Sequence, residues 1–483
     1  MKKTLLLSTC LLLASFVHSH TTKKLYNMKK LVLSLVILAG FAMQALAYDF
    51  QSGDLLYTII STDPPCVSLD GHVDGTEAQG ELVIPEAVEH NNMTYAVTEI
   101  GYKAFYRCLH LTGDLVIPES VTRIGSSAFS VCGIPGTLTL PNSVTEIGRY
   151  AFCRNRLTGQ LVLPNCIRTI EPGSFAGSEG FTGDLVIPES VTVIGDSAFR
   201  LCSFDGRLSI GCNVKRIGKM AFYQCLNLTG DLVIPESVKE IGPYAFYDCG
   251  FEGELTLPSQ LTAIEDATFA WCSGLSGKLT IPENVTLIGW QAFVVCGFTG
   301  DLVIPNKVEL IKSEAFCDCP QITSLTIGSA VERIANIAFA GIPLESITLH
   351  AEIPPSLHYS FINVPKEIPV YIPCNTLDLY QTAEGWDDFT NFIEDCSLST
   401  SEHIEKEVRV LCYPNPTQNQ LHLHYPPGVQ PTKVELYDLL GHLAYEQHND
   451  LEIIDMQQLP AGKYLLKIML QDGLIYTNKI VKE

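Results

Sequence analysis

The 483-residue chain is short of charge, and shorter still of positive charge. Only 17% of its residues are charged, with 31 basic against 53 acidic side chains and a net charge of −22. An acidic chain of this kind lacks the basic footprint that nucleic acid or an anionic membrane surface selects, so neither is an expected partner. Downstream of residue 48 no run of about 20 apolar residues occurs, which leaves the mature chain without a helical transmembrane anchor. Glycine-rich phosphate loops, H-E-x-x-H and G-x-S-x-G are all missing, and with them the commonest nucleotide, zinc-hydrolase and serine-hydrolase signatures. With 46% hydrophobic residues, the chain that remains is built to pack rather than to stay disordered.

What is present begins with two export-like segments in tandem. Met1-Lys2-Lys3 precedes an apolar run from Leu5 to Val17, and Met28-Lys29-Lys30 precedes a second from Leu31 to Leu46 that ends Ala45-Leu46-Ala47. The second has the basic start, apolar stretch and small-residue cleavage site of a secretory signal. Residues 1–47 are therefore expected to be an export region, with cleavage after Ala47. Segment 28–47 reads as the true signal and 1–27 as a start-site artefact; the rival is a signal anchor followed by a second apolar segment. Cleavage there removes six lysines and leaves 25 − 53 = −28.

The rest of the chain is dominated by self-similarity. G-D-L-V-I-P-E-S-V occurs verbatim at 113–121, 183–191 and 230–238, and diverged copies fill the intervals. A phenylalanine anchors each copy, at 105, 129, 152, 175, 199, 222, 246, 269, 293, 316 and 339, always 23 or 24 residues from the last. Such a period marks a solenoid. Leu232 and Ile234, two apart, face one side of a short strand, and Pro235 ends it for want of an N–H. Val238, Ile241 and Ala245-Phe246 fill the return and the next corner. At the strand spacing of roughly 4.8 Å, eleven such units would make a rod about 50 Å long with a continuous core.

Three residues after ten of the eleven phenylalanines stands Cys108, Cys132, Cys202, Cys225, Cys249, Cys272, Cys296 or Cys319, or, in two units, Asn155 and Ser178. Parallel Cβ vectors argue against bridging along such a column, so these are expected to be buried thiols chosen for small size.

These columns resemble the BspA-like leucine-rich repeat, whose units read roughly L-x-x-I-P-x-S-V-x-x-I-G-x-x-A-F-x-x-C. The resemblance implies an amino-terminal cap over 48–79, repeats over 80–350 and a closing cap over 351–396, within which Cys374 and Cys396 are a candidate disulfide. Beyond a polar linker at 397–409 the texture changes to short alternating strands, at 421–424, 434–438 and 463–468, separated by turn residues. Tyr413-Pro414-Asn415-Pro416, Gly441, Pro460-Ala461-Gly462-Lys463-Tyr464 and the terminal Lys479-Ile480-Val481-Lys482 resemble the type A sorting domain of type IX secretion. That likeness implies a small Ig-like β-sandwich over 410–483. It also implies passage through the type IX machinery, removal of the domain, attachment to surface lipopolysaccharide, and a location outside a Gram-negative cell or on its surface.

No residue pattern asks for a catalytic role, a cofactor or a metal. His422 and His424, two apart on a strand, and Cys317-x-Cys319 are each better explained by a solvated strand face and by the thiol column. What remains is surface. The outward column between the buried Leu and Ile, with the acidic column beside it, gives a candidate binding strip. Its members are Val116, Thr139, Val162, Asp184, Val186, Asp231, Val233, Thr256, Thr280, Asp301 and Val303. The chain is thus expected to be a mainly-β solenoid that binds rather than catalyses: an adhesin or interaction scaffold whose partners are host extracellular-matrix or other cell-surface proteins. The alternative is a structural or glycan-associated surface component with no specific protein ligand.

Overall fold

The computed structural model describes residues 48–398, 410–426, 429–438, 441–470 and 475–483. The export region, including the Ala47 cleavage site, and most of the 397–409 linker lie outside them. The chain divides into two compact units, Met1–Leu157 and Thr158–Glu483.

The first unit opens with an antiparallel hairpin, Phe50–Ser52 with Leu55–Thr62 and then Pro65–His72. Met93–Ile100 pairs in parallel with Pro65–His72 on one side and with the repeat strand Arg123–Ile124 on the other. The hairpin thereby hands an antiparallel start over to the parallel stacking of the repeats, and the first repeat strand is not left with an open edge.

Each repeat turn then carries two very short parallel strands. In the second unit Leu232–Val233 pairs with Leu255–Thr256, and Glu240–Ile241 pairs with Arg216–Ile217. Leu232, Ile234, Val238, Ala245 and Phe246 are buried, as the period-two and corner pattern requires. The phenylalanines stack face to face, for example Phe222 on Phe246 at 5.2 Å and Phe293 on Phe316 at 5.3 Å between ring centroids.

The 23/24 alternation has a local cause. After the small-residue column, the next core side chain comes either two residues later (Ile134, Phe204, Phe251, Phe298) or three (Leu111, Phe181, Leu228, Leu275), so one corner residue is inserted or omitted. The turn from Phe316 has the longer corner, with Ile322, yet spans 23 because it lacks the glycine that precedes the strand elsewhere. The register between Thr299–Ile304 and Gln321–Ile327 shifts at that point.

The third side of each turn is neither strand nor helix. Tyr244, Phe246 and Asp248 donate their N–H groups to Asp266 O, Thr268 O and Ala270 O of the next turn, while Ala245 and Tyr247 close tight turns onto Gly242 O and Tyr244 O. This alternation holds two residues per turn in the left-handed region: Tyr244 and Asp248 here, Ser127 and Val131, Gln291 and Val295 in other turns. In the turn that uses glycine at both slots, Gly173 and Gly177, the conformation carries no Cβ penalty. A β-branched residue there is the costliest choice. Val131→Asn should therefore raise unfolding stability by about 0.5–1 kcal/mol, read from denaturant melts.

Stacking does not stop at the eleventh anchor. Phe361 lies on Phe339 at 5.4 Å, and the strands Val370–Ile372 and Phe392–Glu394 continue the parallel sheet. Counted through both units the chain makes about 13 turns rather than eleven. Trp386, fully buried, meets Phe361 at 5.5 Å and donates its indole N–H to Pro355 O, which closes the core. Cys374 and Cys396 are joined by a disulfide beside this end.

Residues 410–483 form two antiparallel sheets. One is Leu411–Tyr413, Gln420–His424 and Ile453–Asp455; the other runs in the order Leu443–Gln447, Pro431–Tyr437, Gly462–Leu470, Ile475–Lys482. Cys412, Leu421 and Ile454 of the first share one core with Val434, Leu436, Leu466 and Ile480 of the second.

Candidate functional site

The outward column sits where the strand period places it. Val116, Val162, Val186, Val233 and Val303 are 40–64% exposed, each between two buried neighbours, and Thr139, Thr256 and Thr280 are exposed in the same slot. Val83, at 71%, occupies this slot in the first turn and belongs to the column.

The acidic members of the strip have a different role from the one their spacing suggests. Asp184 Oδ1 accepts the backbone N–H of Arg207 at 2.8 Å, and Asp231 Oδ1 that of Glu254 at 2.9 Å. Asp114 accepts both the N–H and the hydroxyl of Thr137, which hold its carboxyl below the usual range. Asp301 accepts the Ser324 hydroxyl. Other columns repeat the device, with Glu236 accepting from Ser259 N, Asp196 from Lys219 N and Asp266 from Trp290 N. These carboxylates are staples between turns, meeting backbone donors that the two-residue strands leave over. Of the strip, the valines and threonines stand exposed without such a role.

The thiol column also asks for more than smallness. Cys249 Sγ donates to Phe222 O at 3.0 Å, Cys272 to Phe246 O at 3.0 Å and Cys319 to Phe293 O at 3.1 Å. Asn155 does the same with Nδ2, to Phe129 O at 2.7 Å. In these turns the slot holds a small side chain that donates, whereas after Phe339 it holds the buried Ile342. Burial pushes the thiols of Cys272 and Cys319 up to about 12, which makes them poor nucleophiles. Cys166 and Cys212 are exposed, and Cys212 gives its proton to Glu189 Oε2 at 2.7 Å, which raises it. A short iodoacetamide pulse at about pH 8 should modify Cys166 first and Cys212 more slowly. Cys272, Cys296 and Cys319 should react only after unfolding, as peptide mass spectrometry would show.

Among the described residues no cluster of three or more His, Cys, Asp or Glu side chains is placed to hold a metal, and no helix is long and apolar enough to cross a membrane. His422 is half-buried against Tyr413 at 5.5 Å, and His424 is exposed.

In the carboxy-terminal module the motif residues are largely architectural. Asn415 donates Nδ2–H to Lys479 O and accepts Val481 N–H at Oδ1, both at 2.8 Å, so the Pro414–Pro416 segment covers the edge of the last strand. Thr417 continues the pairing with Val481 and Glu483. Tyr464 is buried and donates its hydroxyl to Pro460 O at 2.7 Å, closing the turn through Gly462; Gly441 takes the left-handed conformation in the turn after Asp438.

A mainly-β repeat protein, stapled turn to turn and followed by a two-sheet module, is what these features define. The chain belongs to the BspA-type leucine-rich repeat family: residues 98–229, 206–299 and 296–383, together more than half of it, match that repeat region. Residues 411–483 match the secretion system C-terminal sorting domain. Among solved structures the chain is similar to a leucine-rich repeat protein from Bacteroides ovatus, at 22% identity over 72% of this chain and 100% of that one, with a TM-score of 0.36. It is also similar to a leucine-rich cell surface protein from Faecalibacterium prausnitzii, at 19% identity over 74% and 98%, with a TM-score of 0.43. A third is the pneumococcal vaccine antigen PcpA, at 16% identity over 72% and 98%, with a TM-score of 0.41. No curated protein matches the chain.

Proposed function

We propose that this surface leucine-rich-repeat protein, exported by its type IX sorting tail, is an adhesin or interaction scaffold. It contacts host extracellular-matrix or other cell-surface proteins through the outward valine and threonine column. The observation that carries this reading is the set of exposed valines, Val83, Val116, Val162, Val186, Val233 and Val303, each between two buried aliphatic neighbours. Isolated exposed apolar residues need no explanation, but a periodic row on a rigid face is the usual form of a solenoid contact surface. The match of residues 411–483 to a secretion sorting domain supports a location of that surface outside the cell.

The test is saturable binding of the mature chain to immobilised fibronectin or fibrinogen, compared with the triple variant Val162→Glu, Val186→Glu, Val233→Glu. A loss of binding of tenfold or more with unchanged melting behaviour is expected. Binding that the triple variant leaves intact would remove the column as the contact surface. If neither chain binds any matrix protein or partner cell, the structural or glycan-associated reading takes its place. Asp184, Asp231 and Asp301 are unsuitable probes, because reversing them removes staples as well as charge.

A further inference from the structure

The sorting motif holds the module together, and the residues it positions face elsewhere. Residues 410–483 contain five lysines and no arginine: Lys433, Lys463, Lys467, Lys479 and Lys482. All five lie on the four-stranded sheet, while the strands of the three-stranded sheet carry none. Along Gly462–Leu470 the buried residues are Tyr464, Leu466, Ile468 and Leu470, so Lys463, Leu465 and Lys467 point outward. Register then brings Lys479 and Tyr437 opposite Leu465, Val481 opposite Lys463, and Glu435 opposite Lys467. The outward face therefore bears four of the five lysines.

Part of this charge is used internally. Lys433 bridges Glu435, at 2.6 Å, and Glu446, and Lys467 lies 3.6 Å from Glu435, whose carboxyl also accepts the Tyr437 hydroxyl. Lys433 and Tyr437 hold the Glu435 carboxyl below the usual range. That network orders one half of the face. The other half is the row of Lys463, Leu465 and Lys479, all exposed, with Leu465 44% so. Asn415 grips the backbone at Lys479 and Val481, directly under this row. In a chain of net charge −22, a preorganised face with cations flanking an exposed leucine is the exception.

We infer that Lys463, Leu465 and Lys479 form the contact face of the sorting domain and that its partner, a component of the export machinery, presents an acidic surface with an apolar centre. The inference rests on the sorting reading of residues 411–483. Opposite charge at such a face speeds encounter and fixes orientation, and the leucine supplies the desolvated centre. Asn415 and Tyr464 of the motif act as positioning residues behind it.

The test expresses the full-length chain in a Gram-negative cell with type IX machinery and measures surface exposure by protease shaving of intact cells. Lys463→Glu with Lys479→Glu should lower surface signal at least tenfold, Leu465→Asp should lower it comparably, and Lys463→Arg with Lys479→Arg should restore it. Melting of each purified variant is followed in parallel. Because both lysines are exposed, the Glu pair should melt as the parent does; if it does not, Lys463→Gln with Lys479→Gln carries the comparison. Normal display of a folded Glu or Gln pair, with display lost on deleting 411–483, overturns the contact face and leaves the sorting reading intact. Normal display after that deletion overturns both. Failure of the Arg pair to restore display would overturn the requirement for positive charge.

Discussion

Phe246→Ala should cost about 3–5 kcal/mol, the range for removing a fully buried aromatic side chain from a close-packed core. Phe246 is 0% exposed and stacks on Phe222 at 5.2 Å and on Phe269 at 5.7 Å, with Phe251 against its edge at 6.3 Å. Deleting the ring therefore opens both interfaces of one turn together. Solenoid stability is a sum of turn and nearest-neighbour terms, so the loss is expected to split one unfolding transition into two, with the break at the mutated turn. Phe246→Leu, which keeps much of the buried surface, should cost about 1–2 kcal/mol and leave unfolding cooperative. Denaturant melts followed by hydrogen exchange of the flanking turns would show both effects. A single transition in Phe246→Ala would mean that coupling runs further than the adjacent turn.

Asn415→Ala should destabilise the sorting module by about 2–3 kcal/mol, because Lys479 O and Val481 N each lose a hydrogen-bond partner along that edge. The Asn415 side chain supplies a donor to Lys479 O and an acceptor for Val481 N, as a neighbouring strand's backbone would. Asn415→Asp keeps the acceptor and loses the donor, so it should recover only part of the stability. Amide exchange at Val481 should accelerate in the Ala variant and stay slow in the Asp variant. If exchange there is unchanged in both, the edge is held by Thr417 and not by Asn415.

How far the sequence carries this protein can be judged residue by residue. The Leu232–Ile234 pair, the Phe column and the proline that ends most of the strands have one-dimensional signatures: their spacing is the period of a strand or of a turn, and burial follows from it. The two closing turns were less legible. Phe361 takes the anchor position without the surrounding Gly-x-x-Ala-Phe pattern, because a final turn packs against Trp386 and not against another repeat.

The acidic column shows the limit most clearly. Asp184 and Asp231 recur at the repeat period, which a contact strip and a turn-to-turn staple predict equally. Only the position of Arg207 N and Glu254 N, 2.8 and 2.9 Å away in the next turn, separates the two. The sequence by itself determined the solenoid, its core columns and its two ends, since each depends on spacing along the chain. The tertiary structure alone decided which polar residues are staples, that the thiols are donors, and that the lysines of the sorting domain share one face. Those are relations between residues that only the fold brings together, set by which backbone donors a neighbouring turn leaves unmatched and by strand register.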